Sequence, residues 1–293
     1  MDLSVVILNF NTCDLLRDSI KSIFESTHNI DFEVIVVDNA SVDNSCEMVK
    51  TEFPNVKLIE NKKNTGFSHG NNLGIKETSG EYICLLNPDT VVKENTFEYL
   101  IKFMKENPEC GISGPKIYFG DGSIQFSFRS FPSFSTALFN RASTLTKLFP
   151  KNPFSDAYLM TSTDRDQPGE VDWLSGSCMV VNKKAIDEVG LLDENFFMYA
   201  EDVDWCYRMK QKGWKNFYCP SGTIIHYTEQ SSKQYPIKSL YERHRSMYYF
   251  YKKHYSYHIP LIDIATLAGI IARFIMTSMS TLFNPGKTKK AET

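Results

Sequence analysis

A short acidic stretch carries the residues best suited to chemistry in this sequence. Glu201, Asp202 and Asp204 place three carboxylates within four positions, and aromatic and aliphatic residues flank them from Phe197 to Trp205. Apolar surroundings make ionisation of a carboxyl group costly and raise its pKa, which is how a protein turns a carboxylate into a useful base. Acidic residues also favour the first turn of a helix, and the two interpretations are compatible.

A second carboxylate stands far upstream. Asp89 follows the strand-like run 82–86, and Asn87 lies two positions before it. A carboxylate at the end of a buried strand is well placed to hold Mg²⁺ or Mn²⁺ beside phosphate groups. Because Asn87 stands where a two-acid site would have its first acid, another protein ligand would help. His226 follows the apolar run 223–225 and is a candidate, although a lone histidine there is more often a buried packing residue.

Polar residues after two other apolar runs suggest a nucleotide site. Asn9 and Asn11 follow the first run, and Asp38 ends the second, where its carboxylate could bind a base or ribose or could cap a turn. The glycine- and asparagine-rich segment 64–74 opens a helix, so its backbone N–H groups could face a phosphate, although a closely packed turn explains it equally well. It has neither the dinucleotide-binding nor the Walker pattern. The candidates in this segment are Asn64, Gly66 and Asn72.

A tryptophan followed by small polar residues suggests a sugar site. A sugar could stack on the indole of Trp173 and form hydrogen bonds near Ser175 and Gly176, although a buried turn has the same composition. Cys178 has no histidine close by in sequence that would make it a nucleophile.

Alternating strands and helices must position these residues. Helical periodicity predicts helices at 13–25, 45–52, 71–78 and 96–106, and apolar runs predict strands at 5–8, 32–37, 57–60 and 82–86. This order is typical of an α/β fold with a mostly parallel sheet between helices, whose ligands bind at the carboxyl ends of the strands. The pattern weakens from 120 to 168, where we expect a long excursion over the site. Regular structure is predicted again at 173–181, 183–189 and 217–225.

Composition excludes several classes of protein. The 293 residues have 42% hydrophobic content and a formal net charge of −3, without the basic stripe that is typical of nucleic-acid binding. Seven scattered cysteines without CxxC pairs indicate reduced thiols in a cytosol. The first apolar run, 3–8, is short and follows Asp2, so we predict a buried strand and not a signal peptide.

The last part of the sequence changes character. A helix rich in tyrosine and basic residues is predicted at 237–258, followed by the apolar segment 261–283, which Asp263 and Arg273 interrupt. This segment is long enough to span a bilayer, but its two charges favour a helix lying in the membrane interface. A packing helix or an oligomer interface is the alternative. The basic residues that would favour anionic lipid are Lys287, Lys289 and Lys290.

The ordered set of motifs resembles glycosyltransferase family 2, in particular its rhamnosyltransferase-like branch. The matching segments are 5–11, 37–41, 64–74, 86–89, 173–176, 197–205 and His226. The resemblance implies a GT-A fold, a nucleotide-diphosphate sugar donor, a divalent ion and an inverting reaction. We predict a catalytic domain at 1–230, with an acceptor-side loop region at 120–170. We predict that the remainder, 231–293, is a C-terminal helical segment that associates with membranes.

The resemblance also assigns roles to individual residues. Asp38 corresponds to the acid that binds the base or ribose, and Asp89 to the metal-binding acid of the DxD position, here with Asn87 in the first place. Asp202, preceded by Glu201, corresponds to the catalytic base. Like its counterpart in related enzymes, His226 would join the metal. At position 71, where many relatives carry arginine, this sequence has asparagine, so charge neutralisation would depend more on the metal.

We therefore expect an inverting transferase that builds a cell-surface polysaccharide. The donor expected first is dTDP-rhamnose and next a UDP-sugar; the acceptor is a glycan or lipid-linked glycan at the inner face of the cell membrane, and a homodimer is possible. A sugar-phosphate nucleotidyltransferase is one alternative. It would need an N-terminal phosphate loop rich in glycine and basic residues, but Leu3 to Cys13 contains neither glycine nor lysine. A catalytically silent scaffold is another, against which the intact Asp89 and Asp202 argue.

Overall fold

A computed structural model describes residues 1–132, 153–227, 235–256 and 259–283. The strands are β1 (Leu3–Asn9), β2 (Phe32–Asp38), β3 (Lys57–Glu60), β4 (Tyr82–Leu86), β5 (Thr90–Val92), β6 (Cys110–Phe119), β7 (Ile124–Gln125), β8 (Phe128–Arg129), β9 (Gly169–Val171), β10 (Trp173–Leu174), β11 (Cys178–Asn182) and β12 (Lys215–His226). The helices are α1 (Cys13–Ser26), α2 (Ser45–Glu52), α3 (Phe67–Ile75), α4 (Thr96–Glu106), α5 (Pro153–Leu159), α6 (Lys183–Val189), α7 (Glu201–Gln211), α8 (Pro236–His254) and α9 (Pro260–Phe283).

Ten of these strands form one mixed sheet. Its main order is β3-β2-β1-β4-β11-β6-β12-β5, with β7 paired to β6 and β9 paired to β12. The first four strands in that order are parallel, β11 runs antiparallel to both of its neighbours, and β6 and β12 are parallel to each other. The expected sheet with parallel strands between helices, which is consistent with a GT-A fold, is therefore confirmed.

Apolar residues cover both faces of the sheet. Because a strand that is buried on both sides has no polar face, β1 and β4 read as nearly continuous apolar runs. On one face, Leu16 and Ile20 of α1 pack with Phe97 of α4, and on the other, Ile75 of α3 packs with Trp205 of α7. The carboxyl ends of β1, β2 and β4 are thereby fixed at one edge.

Several element boundaries differ from the sequence prediction. The third helix begins at Phe67 and not at 71, because Gly66 takes a positive φ of 85° and turns the chain directly into it. Strand β6 was not predicted, since its sequence contains Gly111, Gly114 and Pro115, which usually indicate turns. Packing explains both glycines, because an added Cβ would lie 2.9 Å from the Trp214 side chain at position 111 and 3.0 Å from Leu174 at position 114.

The structure describes part of the excursion that the sequence predicts at 120–168. It contains α5 and the short strands β7 and β8, while 133–152 lies outside the described residues. The tyrosine-rich helix ends at His254 and not at 258, and 257–258 also lies outside them. The division into domains at residue 230 stays a prediction.

The C-terminal helices differ in how they are covered. Helix α8 packs against the segment that precedes α7, where buried Ser246 donates a hydrogen bond to the Met198 carbonyl (2.9 Å). In α9, a window of 22 residues, Pro260–Thr281, has a mean hydropathy of 1.6, and none of it is buried. Length and composition would let this helix cross a membrane. The basic residues predicted to follow it lie outside the described residues.

Candidate active site

Polar side chains at the ends of β1 and β2 form a buried network. Asn9 and Asp38 are opposite each other in the sheet, and the Asn9 amide donates to the Asp38 carboxylate (2.9 Å). The backbone N–H of Ser41 donates to the other carboxylate oxygen (2.8 Å). Only 2% of Asp38 is exposed. Asn11 has a positive φ of 54°, and its side-chain oxygen accepts a hydrogen bond from Val42 N–H (2.8 Å).

A second network joins β2 to the segment 64–74, the predicted nucleotide loop. The Asn39 amide donates to the Asn64 side-chain oxygen (3.0 Å), which also accepts from Gly66 N–H (3.0 Å). The Asn39 oxygen in turn accepts from the Asn61 amide and from Thr65. Sequence reasoning did not select Asn39, although its place beside Asp38 after an apolar strand was a usable signal.

The nucleotide loop touches the segment that leads to the acidic stretch. A Cβ at Gly66 would lie 2.4 Å from the Phe197 carbonyl oxygen, so only glycine fits there, and Phe67 N–H donates to the same oxygen (2.6 Å). The side-chain nitrogen of Asn72 donates to the Leu192 carbonyl and to the Glu194 carboxylate (3.0 Å), and its side-chain oxygen accepts from Leu192 N–H. Asn72 therefore positions this loop through protein contacts.

Asp89 and His226 meet at the neighbouring strand ends. The His226 Nε2 atom lies 3.2 Å from Asp89 Oδ1 and 3.4 Å from the Asn87 amide nitrogen, while Nδ1 lies 3.0 Å from Gln125 Oε1. Because a side-chain amide oxygen only accepts, Nδ1 carries the proton that is shared with Gln125. In a neutral ring the Nε2 atom then carries a lone pair and lies beside the Asp89 carboxylate. Both side chains are 7% exposed.

This donor set fits a divalent cation. One carboxylate and one imidazole, whose other nitrogen is oriented by an amide oxygen, match the ligands and the outer contacts that Mg²⁺ or Mn²⁺ sites use. In the described part of the chain there is no group of three His, Cys, Asp or Glu residues that could hold a metal ion, so phosphate oxygens or water would complete the coordination. Gln125 was missed because it lies in the irregular stretch after β6.

Asp202 stands at the start of α7. One carboxylate oxygen accepts from Gly176 N–H (3.0 Å) and the other from Val203 N–H (2.8 Å). Burial raises the pKa of Asp202, and these two donors, together with the positive charge of Arg129, oppose that rise. The two residues before α7, Tyr199 and Ala200, have φ values of 72° and 64°, a strained conformation for residues with a Cβ.

The surroundings of the neighbouring Glu201 favour its protonated form. It is 6% exposed, and its Oε2 atom is buried without a hydrogen-bond partner. Burial raises the pKa of Glu201 well above its usual range, and the charge of Asp202 adds to the rise. Of these two acids, Asp202 is the better placed to hold a negative charge, because its oxygens accept from the N–H groups of Gly176 and Val203.

The third acid of the stretch has a structural role. Asp204 is fully buried and pairs with Arg208 (2.8 Å), Lys253 (2.7 Å) and His254 (2.7 Å). Burial alone would raise the pKa of Asp204, but the hydrogen bonds and charges of these partners lower it. Asp204 therefore attaches α8 to α7.

The predicted sugar-binding residues lie in the segment 173–176, whose last residue contacts Asp202. Gly176 contacts it directly, the Trp173 indole N–H donates to the Ser130 carbonyl (2.9 Å), and the hydroxyl of Ser175 lies 3.0 Å from that of Ser177. The guanidinium of Arg129 lies 5.7 Å from the centre of the Trp173 ring. Sequence reasoning missed Arg129.

Comparison with known proteins gives a consistent picture. Residues 4–190 match the family model described as Glycosyl transferase family 2. The N-acetylglucosaminyl-diphospho-decaprenol L-rhamnosyltransferase of Mycobacterium tuberculosis is 32% identical over 230 residues, which cover 74% of this chain and 73% of that protein.

Two further relatives show lower identity. The low-salt glycan biosynthesis hexosyltransferase Agl10 of Haloferax volcanii is 26% identical over 286 residues, which cover 95% of this chain and 84% of the relative. The rhamnosyltransferase WbbL of Escherichia coli is 27% identical over 186 residues, which cover 60% of this chain and 66% of the relative.

Proposed function

The chain belongs to glycosyltransferase family 2, as its motifs predicted, and from this premise we propose that Asp202 is the base of an inverting sugar transfer. The observation that carries the proposal is the placement of its carboxylate. The two oxygens are oriented by the N–H groups of Gly176 and Val203, and burial raises the pKa of the acid. A base whose pKa has moved towards neutrality takes up a proton more readily.

The proposed reaction is a single displacement. Asp202 removes the proton of an acceptor hydroxyl while that oxygen forms a bond to the anomeric carbon of the donor. The bond from that carbon to the nucleoside diphosphate breaks at the same time, and the electron pair leaves with the diphosphate. Attack on the face opposite the leaving group inverts the configuration. Glu201 stays protonated beside the base and adds no second negative charge.

We propose that the donor nucleotide binds at the ends of β1 and β2. Asp38 would accept hydrogen bonds from the base or the ribose, and its own bonds to Asn9 and Ser41 hold the carboxylate in one orientation. Asn11 lies in the turn beside this site, while Asn64 and Gly66 hold the loop that would face the ribose and diphosphate. Asn72 acts as a positioning residue through Leu192.

A divalent ion is proposed at Asp89 and His226. Bound there, Mn²⁺ or Mg²⁺ would supply positive charge to the leaving diphosphate. Asn87 lies next to the imidazole, and Gln125 fixes its tautomer. At position 71 the side-chain amide donates to the Phe67 carbonyl (3.0 Å) and offers no cationic charge to the donor, which supports a role for the metal.

The proposed donor is dTDP-rhamnose, with UDP-sugars next. Two of the relatives carry rhamnosyltransferase in their names, which supports the first choice. The name of the M. tuberculosis relative includes a diphospho-decaprenol acceptor, which supports a lipid-linked glycan acceptor here. Trp173, Ser175 and Gly176 would contact its sugar. We propose that α9 lies on the inner face of the cell membrane; association of two copies through the same helix is the alternative.

A thermal-shift panel tests the nucleotide and metal assignments. A ligand that binds only the folded chain raises its melting temperature. At a ligand concentration of a hundred times Kd, the free energy of unfolding increases by about 2.7 kcal/mol. We expect a shift with dTDP or dTDP-rhamnose that depends on Mn²⁺ and is lost in Asp89→Ala. Asp187→Ala, at an exposed carboxylate of α6, is the matched control and should behave as the wild type. The absence of a shift with every dTDP and UDP compound would contradict the proposal.

A further inference from the structure

The turn that leads into the acidic stretch has a strained backbone. Tyr199 and Ala200 have φ values of 72° and 64°, in the left-handed region that residues with a Cβ rarely adopt. Such a conformation costs free energy and persists only where the surrounding structure holds it in place. Because Asp202 follows Ala200 by two residues, the contacts that hold this turn also set the position of the proposed base.

Three carbonyl oxygens of the turn accept hydrogen bonds from other parts of the protein or from α7. The Phe197 carbonyl accepts from a backbone N–H of the nucleotide loop (2.6 Å), and the Ala200 carbonyl accepts from a backbone N–H in the first turn of α7 (2.9 Å). Between them, the Met198 carbonyl accepts from the hydroxyl of Ser246 on α8 (2.9 Å). The first two donors belong to the backbone, whereas the third bond depends on a single side chain.

The hydroxyl of Ser246 is committed to this turn. A serine inside a helix often donates to the carbonyl of a residue three or four positions earlier in the same helix. Because a hydroxyl has only one hydrogen to donate, the bond from Ser246 to Met198 takes the place of such a bond within α8. Ser246 is 1% exposed, so water does not replace it as the donor.

The packing of α8 places this hydroxyl independently of the hydrogen bond. Ser246 and Phe250 stand four positions apart and therefore lie on the same face of the helix. Phe250 forms a small buried cluster with Phe196 and Val203, which come before and after the turn. Since apolar contacts attach α8 to both flanks of the turn, loss of the Ser246 hydroxyl would free the turn without detaching the helix.

We propose that Ser246 is a positioning residue for the base: its bond to Met198 holds the strained turn and thereby keeps the Asp202 carboxylate on its N–H donors. The inference rests on the proposed role of Asp202. One of those donors, Gly176 N–H (3.0 Å), comes from a different segment, so this bond forms only while the start of α7 stays in place. A relaxed turn would move Asp202 away from Gly176 and from the attacking hydroxyl.

Ser246→Ala tests the hydrogen bond, because alanine keeps the Cβ and removes only the hydroxyl. The assay measures release of dTDP from dTDP-rhamnose, or of UDP from UDP-glucose, with Mn²⁺ and with water in place of the acceptor. Water still has to lose a proton, so the reaction still needs the base. We expect kcat to fall by about tenfold or more, since small displacements of a reacting group are costly. The Kd for dTDP should stay at the wild-type value.

A second measurement does not depend on turnover. The amide of Asp204 donates to the Ala200 carbonyl, and its hydrogen exchange reports how often the turn opens. This amide should exchange faster in Ser246→Ala than in the wild type.

Ala200→Gly provides a rescue, because glycine adopts a positive φ without strain. Added to Ser246→Ala, it should return kcat to within about threefold of the wild type, since the turn then needs less support. It should also slow the exchange of the Asp204 amide again. A hydroxyl that only stabilised the packing of α8 would not be replaced by a glycine in the turn.

Ser4→Ala is the matched control for the loss of a buried serine hydroxyl. Ser4 is fully buried at the start of β1, at the opposite end of the sheet from the site. Its hydroxyl donates to Glu33 (2.7 Å) and accepts from Gly80 N–H (2.9 Å). This variant should lose thermal stability but keep the kcat of the wild type.

Three results would overturn the proposal: wild-type kcat and exchange in Ser246→Ala, an equal loss of kcat in Ser246→Ala and Ser4→Ala, or a double variant that stays as slow as Ser246→Ala. Asp202→Asn separates the two claims. If it released the nucleotide at the wild-type rate, the proposed base would fail. If it were inactive while Ser246→Ala matched the wild type, only the role of Ser246 would fail.

Discussion

The two regions that we propose as the nucleotide side and the acceptor side of the site differ in whether their buried polar side chains have hydrogen-bond partners. On the nucleotide side, Asn9, Asp38 and Asn39 are buried, and each is hydrogen-bonded within the protein. On the acceptor side, buried atoms of Arg129 and Glu201 have no hydrogen-bond partner. Because a buried polar atom without a partner is costly, we propose that Asn9, Asp38 and Asn39 form a preformed site and that a substrate completes the region of Arg129 and Glu201.

The two regions meet at the segment before Asp202, the proposed base. Phe67, from the nucleotide loop, donates to the Phe197 carbonyl, and Ser246, from α8, donates to the carbonyl of the next residue, Met198. The strained residues Tyr199 and Ala200 follow, and then the acidic pair. The position of Asp202 therefore depends on contacts from both sides.

The largest effect on stability is expected from Asp204→Asn, which weakens the attachment of the acceptor side. Removing this buried charge leaves Arg208 and His254 without their carboxylate partner and Lys253 with Asp193 alone, so we expect a loss of about 3 kcal/mol or more in the free energy of unfolding. Denaturant unfolding measures it. In the folded variant, the KM for the acceptor should rise more than the Kd for the nucleotide.

The control for this change is Asp187→Asn on the exposed surface of α6. Substitutions of that kind usually alter stability by no more than about 0.5 kcal/mol. If Asp204→Asn were equally harmless, or if it weakened nucleotide and acceptor binding alike, the separation into two regions would be wrong.

A smaller effect is expected from Arg129→Gln on the pH dependence of turnover. The proposed mechanism needs Asp202 ionised, so kcat should fall as the pH drops through the pKa of that acid. Burial raises this pKa and the charge of Arg129 lowers it, so removing the charge should move the acid limb to higher pH. A kcat profile across the acid limb measures the shift.

The matched control is Arg165→Gln, whose guanidinium lies over the Phe126 and Phe128 rings. Its acid limb should coincide with that of the wild type. If the acid limb of the kcat profile lay at the same pH in Arg129→Gln as in the wild type, the charge of Arg129 would not act on Asp202.

The nucleotide side could be predicted from the sequence because it follows regular elements. Asp38 and Asp89 come directly after apolar strands, and neighbouring parallel strands end at the same edge of a sheet. The acceptor side could not be predicted in the same way. Gln125 and Arg129 lie on two-residue strands inside an irregular stretch, and only pairing across the sheet brings Gln125 to His226.

The acidic stretch also shows what a motif leaves undetermined. Glu201, Asp202 and Asp204 have similar side chains and nearly consecutive positions, yet the first has a buried oxygen without a hydrogen-bond partner, the second is oriented by backbone N–H groups and the third is ion-paired. These differences arise from residues far away in sequence, Gly176 for Asp202 and His254 for Asp204. Spacing alone therefore could not assign their separate roles.

The most direct test of the account compares Asp202→Asn with Glu201→Gln in the same transfer assay. We predict that Asp202→Asn lowers turnover by about 10²- to 10⁴-fold, the usual contribution of a general base, while the Mn²⁺-dependent nucleotide shift remains. Glu201→Gln should retain turnover to within about tenfold, because glutamine resembles the protonated acid, and tenfold corresponds to about 1.4 kcal/mol. Normal turnover in Asp202→Asn, or an equal loss in both variants, would contradict the assignment of the base.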